Sequence, residues 1–284
     1  MLSYRITVAY EGTDFVGWQR QAAGESIQGV LEEALRELDE RDVTVVGAGR
    51  TDAGVHALAQ VAAFTLERAR PADAVVRALN ARLPASVRVL TAKEVPSSFH
   101  PQFDARAKTY HYRIWNGDVV PPFERRYVWH VPGALDVAAM QRAARLIEGE
   151  HDFAAFQSSG SDVETTVRRV FASELRSADC GVRSDFGFLN TDPHWLLGDQ
   201  SALRAPHSAL LCYDITGSGF LRHMVRAIVG TLVEVGRRRR PAEWISDVLR
   251  SRERGFAGRS APAHGLFLVG IDYDVHSGFT SKGR

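Results

Sequence analysis

The chain has 284 residues, about two domains at roughly 150 residues each. Hydrophobic residues make up 45% and charged residues 24%, which excludes collagen-like, disordered and disulfide-scaffold classes. No apolar run reaches the roughly 18 residues of a membrane-spanning helix. The segment Met1–Ile6 opens on strand-like alternation and lacks the apolar core of a signal peptide. Cys180 and Cys212 are too few for a disulfide framework or a cysteine zinc site, so a reducing cytoplasm is the expected location.

The formal net charge is +1, but 32 of the 35 basic residues are Arg. Arginine offers a planar fork for phosphate and stacks on bases, although codon composition explains such a bias equally well. From Arg222 to Arg259 ten Arg face four acids, a local net of +6, and the run Arg237–Arg240 is followed by Arg250, Arg252 and Arg254. This clustering suits a phosphate-tracking surface. Taken alone, it is as readily a solvated helix end.

Residues 4–10 alternate as a strand with Ile6 and Val8 inward. Residues 11–25 read as loop. Ser26 is placed to cap a helix whose apolar positions are Ile27, Val30, Leu31, Ala34, Leu35 and Leu38. Strands are predicted over Val43–Val46 and Gln60–Leu66, then a helix opened by Pro71 and stopped at Pro84, then a strand over Ser86–Val95. The order β-α-β-β-α-β is that of a ferredoxin-like unit.

A second pass of similar order follows. Strands are predicted at Tyr110–Trp115, Thr165–Leu175, Ser208–Thr216 and Leu266–Tyr273, with helices from Asp136, over Phe220–Val235 and around Trp244–Leu249. The stretch 177–207 reads as a long insertion. The expected fold class is therefore α+β, two ferredoxin-like halves side by side (1–104 and 105–284) with a catalytic cleft between them.

The segment Gly47–Ala57 brings Arg50, Asp52 and His56 into one short glycine-rich connection between two predicted strands. Glycines permit tight turns and close approach of a ligand to the backbone. On spacing alone Asp52 is as readily a turn-holding carboxylate, and Arg50 a surface partner for it.

With these residues in view, the chain resembles the TruA family of bacterial tRNA pseudouridine synthases. The strongest element is Ala48–Ala57 with Gln60-Val61. Further matching blocks are Gly17-Trp18-Gln19, Ser26-Ile27-Gln28, Ala78-Leu79-Asn80 with Leu83-Pro84, Phe99-His100 and Ala105–Tyr112. His151-Asp152-Phe153, Met224-Val225-Arg226 with Ile228-Val229-Gly230, Ala261-Pro262 and Gly265-Leu266 complete the order. The resemblance implies an isomerase that converts uridines 38–40 of the tRNA anticodon arm to pseudouridine, without cofactor or metal, as a cytoplasmic homodimer with no membrane association.

It also implies roles. Asp52 falls at the family nucleophile, where a carboxylate can attack the sugar carbon or stabilise a cationic sugar. Arg226 resembles the arginine that pairs with that aspartate, and Arg50 the residue beside the flipped nucleotide. Tyr110 matches the tyrosine that stacks on the uracil, and Leu266 an apolar wall of its pocket. Read without the family, Arg226 is more readily a structural or phosphate contact, Tyr110 and Tyr112 are core aromatics on one strand face, and Leu266 is a strand leucine. His56 is expected to order the loop or touch RNA. The early motif Tyr10-Glu11-Gly12 departs from the family's Tyr-Asp-Gly by one methylene.

Two other readings stand beside the isomerase. One is an RNA-binding protein without catalysis, which the co-occurrence of Asp52, Arg50, Tyr110 and Arg226 disfavours. The other is a hydrolase using Asp52, His56, His151 and Asp152 as metal ligands, which no recognised ligand spacing supports.

Overall fold

The computed structural model describes residues 1–158, 163–177 and 209–273. Its elements are β1 (Leu2–Tyr10), α1 (Ile27–Asp39), β2 (Val46–Gly47), β3 (His56–Leu66), α2 (Ala72–Asn80), β4 (Val87–Val95) and β5 (Ala107–Trp115). They continue as β6 (Trp129–His130), α3 (Val137–Arg145), β7 (Gly149–Asp152), β8 (Val167–Ser177), β9 (Leu210–Gly217), α4 (Met224–Gly236), α5 (Trp244–Ser251) and β10 (Leu266–Asp272). The architecture is α+β with mixed pairing: β1 runs antiparallel to β3 and β4, whereas β6 runs parallel to β5. The chain forms two compact units, Met1–Thr109 with the residues from Leu268 onward, and Tyr110–Phe267. The stretch 177–207 lies outside the described residues apart from Ser177. Among the described residues no helix is long and apolar enough to cross a membrane.

In the first unit the alternation of β1 buries Tyr4, Ile6, Val8 and Tyr10 and leaves Ser3, Arg5 and Thr7 on the opposite face. Each fully buried apolar side chain of this kind contributes about 1.5–3 kcal/mol. The Ser26 side chain accepts the Gly29 N–H at 3.1 Å and starts α1, whose buried stripe is Ile27, Leu31, Ala34, Leu35 and Leu38. At the end of α2, the Asn80 amide donates to the Val89 carbonyl and its oxygen accepts the Val89 N–H, at 2.8 and 2.9 Å. That pair ties the helix end to β4 as a strand neighbour would. The strand expected over 43–46 is shorter than its spacing suggests. Val43 and Val45 are buried, but pairing to β3 is confined to Val46 and Gly47.

The last strand closes on the first unit. Arg106 N–H donates to the Asp272 carbonyl at 2.8 Å, and the Tyr273 hydroxyl donates to the Pro101 carbonyl at 2.7 Å.

In the second unit β8 is flanked by β7 and β9, both antiparallel. Asp136 caps α3 by accepting the Ala139 N–H, and Met140, Ala143 and Ala144 are buried. Two strands, β6 and β7, are absent from the sequence-based order because two and four residues are too short for alternation to register. The helix expected from Phe220 begins later. Met224 N–H bonds the Leu221 carbonyl, and His223 takes the left-handed conformation (φ 62°), so regular helix starts at Met224. Almost every residue of α4 is buried, as its nearly unbroken apolar sequence requires.

Candidate active site

The connection from β2 to β3 is held by backbone and buried polar groups on several sides. Ala48 N–H donates to Val61 O at 2.8 Å, and Trp18 N–H donates to Thr51 O at 3.0 Å. Gly17 bridges Asp52 through the backbone, and Val55 N–H closes a turn on Asp52 O at 3.1 Å. Beneath the loop, the Gln60 amide donates to Gly49 O at 2.8 Å, and the Tyr10 hydroxyl shares a hydrogen bond with Thr51 Oγ1 at 2.8 Å. Burial pushes the Tyr10 phenol up to about 12, against the hydrogen bonds from Thr51 and Gln60. It therefore stays a neutral hydroxyl at physiological pH.

The segment 17–18 is in turn anchored to α1, since Ile27 N–H donates to Gly17 O and Gln28 N–H to Trp18 O. Hence the blocks Gly17-Trp18-Gln19 and Ser26-Ile27-Gln28 are the outer brace of this loop. Lys108 supplies a further brace, donating from Nζ to Ala48 O at 2.8 Å. Sequence reasoning attached no role to Lys108, although it is one of only three lysines in an arginine-rich chain. The consequence of all these bonds is a fixed backbone around Asp52. The Asp52 side chain is half-buried and the neighbouring Arg50 is exposed.

His56 does not face solvent. It is 1% exposed, and its Nδ1 accepts the Gly12 N–H at 3.0 Å. It orders the entry to β3, as expected of a loop-ordering residue. Asp152 accepts from Thr166 Oγ1 at 2.6 Å and Ala154 N–H at 3.1 Å, and these bonds, the first foremost, hold its carboxyl below the usual range. Among the described residues no group of three His, Cys, Asp or Glu side chains could hold a metal ion.

In the second unit, Arg226 is the third residue of α4. A cation in a first helical turn opposes the helix dipole, so its retention there needs another cause. Its Nε–H donates to the Ala261 carbonyl at 2.8 Å, while Ala261 N–H returns a bond to the Arg226 carbonyl at 2.9 Å. The next residue, Pro262, accepts the hydroxyl of the fully buried Tyr112 at 2.8 Å. Burial raises the Tyr112 phenol far above its ordinary value, against the opposing charge of Arg226. Gly265 lies against the Tyr112 ring, where an added methyl would come within 2.7 Å, and Leu266 follows it, 5% exposed, as the first residue of β10. Blocks far apart in sequence thus assemble Arg226, Tyr112 and Leu266 into one neighbourhood. Tyr110, two residues before Tyr112, is 8% exposed and packs edge-on against Phe220 with centroids 5.2 Å apart.

The arginine-rich stretch differs from a free phosphate-tracking surface. Arg237 and Arg239 lie 3.7 and 3.1 Å from Glu234, and Arg238 lies 3.3 Å from Asp136. Arg250 pairs with Asp247, and Arg252 with Asp152 at 3.1 Å. Arg240 covers Trp244, and Arg254 donates to Gly258 O. Two of these partners, Asp136 and Asp152, lie outside the linear count over 222–259 and offset part of its local charge excess.

Residues 6–104 and 143–274 match the family model described as tRNA pseudouridine synthase. The chain is similar to the tRNA pseudouridine synthase A of Solibacter usitatus, with 44% identity over 276 residues, 96% of this chain and 100% of the relative. It is 44% identical to the tRNA pseudouridine synthase A of Solidesulfovibrio magneticus, over 96% of this chain and 92% of that one. For the protein of the same name from Myxococcus xanthus the identity is 41%, over 95% and 91%. These matches cover both the braced Asp52 loop and the Arg226 neighbourhood. The chain belongs to the TruA family of tRNA pseudouridine synthases.

Proposed function

We propose that this chain isomerises uridine to pseudouridine in the anticodon arm of tRNA, at positions 38–40, with Asp52 as the nucleophile. The observation that carries the reading is the Asp52 loop, whose backbone is bonded on several sides while the carboxylate stays half-exposed. Such preorganisation suits a group that must meet a sugar carbon at a defined angle. The Asp52 carboxylate attacks C1′ or stabilises the cationic sugar as the N1–C1′ bond breaks. The freed uracil rotates, C5 bonds to C1′ as any Asp52–C1′ bond breaks, and the C5 proton is lost to solvent while N1 takes up a proton.

In this reading Tyr110 stacks on the uracil and Leu266 walls its pocket. Arg226, whose Nε is held by the Ala261 carbonyl, takes the role of the arginine that pairs with the nucleophilic aspartate. Arg50, exposed beside Asp52, holds the backbone of the flipped nucleotide. The reading requires Asp52 and Arg226 to act on one nucleotide across two halves, 1–104 and 105–284. Each half is taken as a ferredoxin-like unit, and the enzyme as a cytoplasmic homodimer.

Tritium release from uridine labelled at C5 in an unmodified tRNA transcript tests this directly. Asp52→Asn is expected to lower release by at least ~10³-fold with tRNA binding retained. Release by both proteins would show that Asp52 is the wrong residue. Binding without release by either would replace the isomerase with a non-catalytic RNA-binding protein.

A further inference from the structure

We propose that Arg5 and Lys93 form a phosphate-binding subsite for the RNA backbone on the open face of the first unit's sheet. The proposal deepens the tRNA-modifying reading and rests on it. Strand β1 buries Tyr4, Ile6 and Val8, so its alternation turns Arg5 to the opposite face. The register pairs Arg5 with Lys93 on β4 and with Ala63 on β3. Two cations thus stand directly opposite each other, an arrangement that costs stability between strands.

Among the described residues no carboxylate lies within ion-pair distance of either cation. This separates them from the arginine-rich run of residues 237–254, where Glu234, Asp136, Asp247 and Asp152 already serve as partners. Arg5 is also preoriented. Its guanidinium carbon lies 5.2 Å from the Tyr273 ring centroid and 5.8 Å from that of Phe99. Rings hold the guanidinium by its faces and leave its N–H edges for an anion. Lys93 is exposed and completes the pair as a point charge.

Hydroxyls continue the polar track on both sides. Ser3 bonds Thr65 at 2.9 Å, and Thr91 donates to Thr7 at 3.1 Å. From Ser3 to Thr7 the track runs about 14 Å along β1, which suits an extended polyanion better than a single small anion. The same strand ends at Tyr10, whose hydroxyl holds Thr51 beside Asp52. Arg5 is five residues from Tyr10, about 17 Å along the strand. The distance is within the span of an RNA arm whose uridine sits at Asp52, and the subsite requires that arm's backbone to lie over the face of β1 opposite Tyr10.

The test is binding of an unmodified tRNA transcript over a salt series, with pseudouridine formation measured alongside. Lys93→Gln and Arg5→Gln are each expected to weaken binding several-fold at low salt, to lower the salt slope by about 0.7–0.9, and to place the loss in KM. Arg5→Lys, which keeps the charge, is expected to keep the slope. Because Lys93 is exposed, its variant decides the matter even if Arg5→Gln disturbs the Phe99–Tyr273 pair. Unchanged affinity and slope in Lys93→Gln, with the wild type binding and modifying tRNA, would overturn the subsite alone. A wild type that neither binds nor modifies tRNA would overturn the functional reading and the subsite with it.

Discussion

Gly12 and Val55 meet backbone to backbone, so that a methyl group built on Gly12 would stand 2.0 Å from the Val55 carbonyl oxygen. No side-chain rotation relieves such a contact, because both partners are main chain. Val55 closes the turn that carries Asp52, and Gly12 N–H is the donor to His56 at the start of β3. Gly12→Ala must therefore push the Asp52 turn away. We expect kcat to fall about 10²-fold, the scale of an ångström-sized misplacement, with the fold retained. Single-turnover kinetics at saturating tRNA, beside circular dichroism of the variant, measures this. Wild-type kcat would show that the turn tolerates the shift.

The Arg226 neighbourhood admits a parallel test by close approach. On α4, Gly230 faces the Arg259 carbonyl, and an added methyl would lie 1.6 Å from that oxygen. Residues 259–261 carry the carbonyl that anchors Arg226 Nε. Gly230→Ala is expected to cost about 1–3 kcal/mol of stability by overpacking and to reduce activity at temperatures where the variant is still folded. Urea unfolding gives the first quantity and tritium release the second. A variant with wild-type stability would contradict the packing described.

A third expectation concerns pH. Asp39, the last residue of α1, has a fully buried side chain. Burial alone would raise its pKa, but the Arg41 hydrogen bond and the Glu67 and Arg68 N–H donors outweigh it, and the carboxyl is held below 3.8. A depressed folded-state pKa contributes stability that is fully present above the unfolded value, near 3.9. That contribution is lost as pH falls through the folded value. Asp39→Asn is expected to cost about 1.5–3 kcal/mol at pH 7 and less at acid pH, so that the two stability curves converge below about pH 4. Urea midpoints of both proteins from pH 7 to pH 3 decide it, and parallel curves would remove Asp39 from the account.

What could be read from the sequence is what depends on short stretches of chain. The period of β1, the apolar stripe of α1 behind its Ser26 cap, and the Asp136 cap of α3 each involve residues within a few positions of one another. The Asp52 segment was legible as a motif because its glycines, arginine and carboxylate are contiguous. Bonds between distant residues were not legible. Nothing in the spacing singles out Asp39, since a carboxylate at a helix C-terminus opposes the dipole until Glu67 and Arg68 arrive from the end of β3. Nor could the linear charge count see that Asp136 and Asp152 reach back to Arg238 and Arg252. The cross-strand pairing of Arg5 with Lys93 spans 88 positions and exists only as register. Local preference is set by a residue's own neighbours in the chain, whereas partners for buried polar groups and for charges are chosen by how distant segments pack, and the tertiary structure alone decides them.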